Sequence, residues 1–537
     1  MNRVSVALVL VAAVRAQEPV VTGHYDAARS GANTHESILT PANVNSRSFG
    51  FLGKMAVKGC LAAQPLYVPR VDIPGVGLRN VVYAATTANL LYAFDAETFV
   101  PYFSRSFGTP ASSYDFDPES GYYAFPDCDD VDDIGPVGIV GTPAIDVDAG
   151  AMYLSATLRE SGSPAKQHSM LYKVSLRTGE DLAAPVEIAG NVSVDGPVSG
   201  NITQFDSRYQ LQRSALLLVN GRVYVAFASH DDELPYTGWL FAYDANVRPL
   251  RAYNYSPKQS GAGIWQSGGG PAFDGKYIYV TTGNNAEGIV GGADNADSVL
   301  QIDPVTLEVV AKTSFPNEAN DWDYSSDIDL GSSRVIPLAG TPYAVAGSKF
   351  GDVFVMNRSG MTLVNRFQAV ARHSSEFDWT GIYNGFAALG DTIFLWPGGG
   401  GASWDAAGFP VDVLKSYKIE ADGNATPRAS GQSDGVGVGY QGAGIAISAN
   451  GSDLSTAIVW AAVPTDNSRW LRPGQLRAYA AGSAGVFQKL WSDTDSADAA
   501  THAWAKFSQP LIANGRVYLP TYSGAVLVYG LYAQGPK

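Results

Sequence analysis

The stretch GIWQSGGG (263–270) places a tryptophan and a glutamine against a glycine run, just before a strand-like segment that ends in TTGNN. Elsewhere in the chain, Trp379, Tyr440 and Trp504 offer further flat apolar faces, and Gln266 adds an amide. Asp321, His502 and Lys349 can act as acid, base or oxygen-anchoring groups. Aromatic walls carrying a few polar groups are the makeup of a small-molecule pocket. The same tryptophans and tyrosines also serve for packing one structural unit on the next. Other chemistries find less support. The six histidines, at 24, 35, 168, 230, 373 and 502, show no metal-ligand spacing. His230-Asp231-Asp232-Glu233 carries oxygen donors for a divalent cation but reads more simply as a solvated acidic loop. The glycines at 398–401 do not lead into a helix with a lysine, so they form no phosphate loop.

These residues lie in loops of a repeat. A strand-like run, a polar or glycine-rich loop and a second run recur in VVYAATTANLLYAFDA from Val81 and in similar segments from Met152, Val223, Ile278, Tyr343, Ile393, Ile458 and Val517. Short segments such as AAQPLYV, GTPAIDV and SQPLIANG precede most copies and supply another strand. Successive copies start 50 to 71 residues apart, which fits one four-stranded blade each. The sequence therefore predicts an all-β fold, an eight-bladed β-propeller with four-stranded blades, as one domain over residues 17–537. The N-terminal region is expected to help close the ring. Loops that lead into each innermost strand, and those between the two middle strands, would open as a funnel around the axis.

The blade pattern resembles the quinoprotein alcohol dehydrogenase-like superfamily, and HYDAARSGANTHESILTPANVN (24–45) with CLAAQPLYVP (60–69) resembles the opening of a secreted subgroup. The resemblance implies a pyrroloquinoline quinone (PQQ) and calcium site. Trp265 matches the Trp under the quinone, Asn284 in TTGN a calcium-binding Asn, Glu233 a calcium-binding Glu, and Lys349 in GSKFGD the basic residue that contacts the quinone. The chain departs from that pattern in Asn320-Asp321-Trp322-Asp323-Tyr324, where an amide stands at the family's general-base position and cannot take a proton from an alcohol. With only Cys60 and Cys128, the vicinal cysteine ring of many such enzymes cannot form, and no CxxCH haem motif is present. A looser resemblance, through fold and secretory features, is to fungal hetero-Diels-Alderases of tropolone sesquiterpenoid pathways.

Composition narrows the setting. The 537 residues are 46% hydrophobic and 16% charged, enough apolar material for a large core. A formal charge of −15 argues against nucleic acid as a partner. Residues 1–16 read as a signal peptide, with Arg3 before the apolar run Val4 to Val14 and a cleavage site before Gln17. No stretch approaches the roughly 20 apolar residues of a membrane span. Sequons at Asn191, Asn201, Asn254, Asn357, Asn424 and Asn450 fit a secreted glycoprotein. Cys60 and Cys128 precede the first and second innermost strands, so they are expected on neighbouring loops as a disulfide, with two buried thiols as the alternative.

Three functions follow as expectations. The leading one is an enzyme that transforms an apolar, oxygenated small molecule without a redox cofactor, by hetero-Diels-Alder cycloaddition if the looser resemblance holds. The second is a PQQ- and calcium-dependent alcohol or sugar dehydrogenase. The third is a secreted binding propeller without chemistry.

Overall fold

The computed structural model describes residues 18–112, 135–161, 166–193, 203–230, 233–284, 295–315, 330–349, 351–370, 381–384, 386–398, 412–432, 442–465, 472–495 and 502–533. Cys128, Asn201, Asn320, Asp321, Trp379 and Tyr440 lie outside these residues. Among the described residues there is no α-helix; eight sheets of at least four strands form the blades of a propeller, antiparallel except where Ala32–Asn33 joins Gly444–Ser448 and Gly485–Val486 joins Ala425–Ser430 in parallel.

The innermost strands, one per blade, are Leu66–Ile73, Ala144–Asp146, Leu217–Val219, Ala272–Phe273, Val335–Pro337, Phe386–Leu389, Gly444–Ser448 and Leu511–Ala513. The eight copies read from the sequence supply the second strand of each blade, from Gly77–Thr86 in blade 1 to Arg516–Pro520 in blade 8. These second strands are buried on both faces because each blade is covered by its two neighbours, which is why they read as apolar runs without alternation. The outermost strands face water: Thr362–Gln368 of blade 5 has no fully buried position.

Tight turns set the register. Asn220-Gly221 and Asn514-Gly515 each place two consecutive residues in the left-handed region, the two-residue hairpin turn that matches strand twist. Between third and fourth strands a second turn repeats. Asp95, Asp244 and Asp303 accept backbone N–H groups two to four residues onward, and Phe99, Val247 and Leu307 follow with positive φ. The side-chain cap makes the left-handed step affordable for bulky residues.

Ring closure uses the N-terminus, as expected. Phe49–Ala56 pairs antiparallel with Ala525–Leu531 and is the outermost strand of blade 8. Upstream, residues 20–36 form a strap that reaches every blade. Its backbone bonds Tyr67 in blade 1, Ile145 in blade 2, Phe273 in blade 4, Ala388 in blade 6 and Ile447 in blade 7. Blades 3, 5 and 8 are reached through side chains. Arg29 donates to Leu216 O, Arg334 donates to Arg29 O, and the Tyr25 hydroxyl bridges Pro510 O and Ile512 N. The strap bends at His24, Tyr25 and Arg29, all with positive φ.

Candidate small-molecule site at the funnel floor

Each innermost strand is preceded by a short segment, and in blades 4 and 8 these segments meet across the axis. A Cβ placed on Gly268 would fall 2.0 Å from the carbonyl oxygen of Phe507, so the backbones touch there and glycine is required. Backbone strain marks both sides: Gln266, Ser267 and Phe507 have φ values of 48°, 37° and 63°. This bridge forms a floor, with the strap below it.

An aromatic cluster with a cation at its centre covers the floor. Trp265 packs with Ala228 and Tyr236, and the Tyr236 ring meets it edge-on at 6.1 Å between centroids. The Arg213 guanidinium lies 5.5 Å from the Trp265 ring centroid and 4.3 Å from that of Phe507. Lys506 Nζ stands 5.0 Å from the Phe507 centroid. Beside them Tyr522 packs with Cys60, Val140 and Leu211, and burial pushes its phenol well above the usual value. Blades 1, 2, 3, 4 and 8 thus bring apolar faces and two cations to one place.

The other anticipated residues separate into three groups. Trp265 and Gln266 are on the floor. Lys349 is buried with Nζ 5.8 Å from the Tyr383 ring centroid, on the blade 5 and 6 side. His502 and Trp504 sit at the seam of blades 7 and 8. There Trp504 belongs to the interblade core and donates from Nε1 to Ala462 O at 3.2 Å. His502 Nδ1 lies 3.8 Å from Asp493 Oδ2, both side chains being buried. Burial drives the Asp493 carboxyl up to about 7, against the Leu476 N–H and Arg477, which favour its charged form. His230 is held neutral, its pKa lowered to about 3 by burial. Tyr236 and Phe507 carry no motif and were not read from the sequence; only the fold shows that residues 236, 265 and 507 share a surface. Of the sequons, Asn191, Asn424 and Asn450 are exposed and Asn357 is half-buried. Asn254 is buried, and its side-chain oxygen accepts from Ser256 N.

The residues present fit a calcium-bound quinone poorly. Trp265 is only 9% exposed and a guanidinium already faces its ring. Glu233 is half-buried and Asn284 is buried with its backbone oxygen bonded to Ala262 N. Among the described residues no three His, Cys, Asp or Glu side chains cluster as metal ligands. One carboxylate and one amide are a thin donor set for calcium, which takes six to eight oxygens.

No protein-family model matches the chain, and no curated protein matches it. Solved structures do. A quinohemoprotein alcohol dehydrogenase from Comamonas testosteroni superposes with a TM-score of 0.59 at 14% identity, covering 97% of this chain and 82% of that one. A second, from Pseudomonas putida HK5, gives 0.58 at 13% identity, covering 96% and 80%. A europium-containing methanol dehydrogenase gives 0.50 at 13% identity, covering 93% and 81%. The chain therefore has the eight-bladed propeller fold of the quinoprotein alcohol dehydrogenases.

Proposed function

We propose that this chain is a secretory-pathway enzyme whose funnel floor binds a flat, apolar, oxygenated small molecule and transforms it without a redox cofactor. The observation that carries this reading is the Arg213 guanidinium held between Trp265 and Phe507. A guanidinium fixed between rings is suited to hydrogen-bond a carbonyl or enolate oxygen while the rings hold the carbon skeleton. Lys506, with Nζ 5.0 Å from the Phe507 centroid, adds a second cation to the same cluster. Of the acid, base or oxygen-anchoring groups named from the sequence, Lys349 and His502 stand apart from this floor, on the blade 5 and 6 side and at the seam of blades 7 and 8, which leaves Asp321 for proton transfer as water is lost from a hydroxylated precursor.

The finer reading is hetero-Diels-Alder cycloaddition. Loss of water leaves a conjugated enone, its four-atom oxygen-containing unit adds across an alkene, and two new σ bonds form with no change in net oxidation state. Holding both partners in register can lower such a barrier by about 7 to 11 kcal/mol, and a closed aromatic wall keeps water from the intermediate. Purified protein, incubated with a dehydratable tropolone-type precursor and a sesquiterpene alkene, is expected to give one cycloadduct stereoisomer by chiral chromatography. A product ratio equal to that in buffer alone rejects the cycloaddition.

A second reading, PQQ-dependent alcohol oxidation, is favoured by the likeness in fold. Added PQQ and calcium with an alcohol and a redox dye test it: dye reduction by the unmodified protein supports it, and reduction seen only after Asn320→Asp assigns the missing base. The secretory setting also predicts a Cys60–Cys128 disulfide and glycans at the exposed sequons. Peptide mass spectrometry of secreted protein checks both, and two free thiols reject the pairing.

A further inference from the structure

Between the strap and the floor lies a buried polar layer that the funnel chemistry does not use. His24 has both ring nitrogens without a hydrogen-bond partner, and Gln266 has both amide atoms so. Gln64 Nε2, Gln212 Oε1, Asn384 Nδ2, Ser508 Oγ and Gln509 Oε1 share that state, all in residues no more than 4% exposed. Gln64 and Gln509 adjoin His24: the His24 main-chain N–H donates to Gln64 Oε1 at 2.8 Å, and Gln509 donates to the same oxygen. A Cβ placed on Gly269 would sit 2.8 Å from the Gln266 main-chain oxygen and 2.9 Å from Arg334 Cδ. The Gly31 N–H donates to His24 O at 3.0 Å, and a Cβ on Gly31 would lie 3.2 Å from an Arg334 terminal nitrogen.

Charge distinguishes this layer from an ordinary wet cavity. Arg29 and Arg334 are both fully buried guanidiniums. Arg29 donates to Pro271 O, Thr22 Oγ1, Gly23 O and Leu216 O, and Arg334 to Arg29 O, Asn384 O and Phe386 O. Every acceptor is neutral. Among the described residues Asp26 is the one carboxylate that acts on both cations, and burial itself works against its charge. Both arginines remain cationic at neutral pH, with pKa values lowered only to about 10 and about 9. Water would satisfy the amides but not the second positive charge, and an uncompensated buried charge costs several kcal/mol.

We infer that this layer encloses a binding site for one monovalent anion of halide size, held by the His24 ring and the Gln266 amide beside Arg29 and Arg334. The anion is structural: it sits beneath the Gly268–Phe507 bridge and above the strap, where it ties residues 24, 266 and 334 of three separate segments. The site is independent of what the funnel binds. The imidazole serves as a neutral donor, since burial and the two arginines hold its pKa well below the usual value.

The test uses the mature chain exchanged into sodium gluconate, then given sodium chloride or bromide at constant ionic strength. A ligand that binds only the folded state stabilises it in a saturable way. The expected result is a saturating rise in Tm of at least about 2 °C with halide and none with gluconate. His24→Phe, which keeps a flat ring and removes both nitrogens, should abolish that rise. Crystals grown in bromide are decisive, whether or not the variant folds. An anomalous peak in contact with His24 and Gln266 establishes the site. Peaks on the outer surface alone, an adventitious ion only, would overturn it, as would equal Tm values in halide and gluconate with no peak in this layer.

Discussion

The strap and the floor lie one above the other on the same axis, yet they are built on opposite principles. The strap is made of backbone hydrogen bonds and buried guanidiniums whose acceptors are carbonyls of several blades. The floor is made of aromatic faces and of cations that stand against rings. Backbone acceptors exist in every blade whatever the side chains, so a strap of this kind can register the ring independently of the ligand. Side-chain faces are free to change. Under the proposed function, the difference teaches that stability and chemistry are separable, with the N-terminal segment carrying the first and the loops above it the second.

The largest expected effect comes from breaking the strap. Arg29→Met, at a position that is 0% exposed, leaves the oxygens of Pro271 and Gly23 buried without their arginine donor, and Leu216 O with Thr22 Oγ1 alone. Each unsatisfied group costs about 1 to 3 kcal/mol, so the loss is about 2 to 6 kcal/mol. Secretion of folded protein should fall to near zero, and any protein recovered should show a much lower urea midpoint. A midpoint within error of the unmodified chain would mean that the strap is dispensable.

Next in size is a titration at the seam of blades 7 and 8. Asp493 has its folded pKa raised from 3.8 to about 7. The folded state therefore binds a proton more tightly than the unfolded state, and its stabilising effect is present in acid and lost as pH rises from about 4 to 7. At 1.36 kcal/mol per unit over about 3 units, the swing is roughly 4 kcal/mol. Asp493→Asn keeps the shape and cannot ionise, so its stability relative to the unmodified chain should grow across that window. Urea unfolding at pH 5 and pH 8 measures it; equal differences at both values would show that Asp493 does not titrate in this range.

How these regions could be read from the sequence differs for a physical reason. The blades were legible because each second strand is covered on both sides and must be apolar, as in VVYAAT, and because turns such as Asn514-Gly515 have few residue choices. The floor was half legible. Trp265 and Gln266 stood out beside a glycine run, but Phe507 comes 294 residues after Arg213 and meets it only because the ring closes. The strap was legible as help in closure and, through residues 24–45, as part of a family resemblance, but its bonding was not, since nearly all that Arg29 and Arg334 bind is main-chain carbonyl, which every sequence has. Trp504 shows the opposite case: an aromatic residue of the right type, placed by the fold in the interblade core.

At the floor, Arg213→Met keeps much of the side-chain volume and removes the cation. If Arg213 polarises a substrate oxygen, product formation should fall about 100-fold or more, the usual scale for losing one electrostatic donor to a developing charge. Arg213→Lys should recover only a part, because a point charge lacks the planar fork. Stability should change far less than in Arg29→Met, which separates the two regions directly. Unchanged turnover with Arg213→Met would remove the guanidinium from the chemistry and leave the apolar walls alone.

The smallest effect is expected at the outer rim, where blades also touch. Arg177 of blade 2 pairs with Asp72 of blade 1 at 2.7 Å, with side chains 53% and 58% exposed. It also donates to the Asp72 carbonyl at 2.7 Å. Solvent screens such a pair and holding two long side chains costs entropy, so exposed ion pairs contribute about 0 to 1 kcal/mol. Arg177→Ala should move the urea midpoint barely beyond error and have no effect on product formation. A loss approaching that of Arg29→Met would show that the blades are registered from the rim as well as from the axis, and would weaken the assignment of that task to residues 20–36. A null result at the rim, together with a large one at Arg29, would place the register of the ring on the strap, where buried donors have no water to turn to.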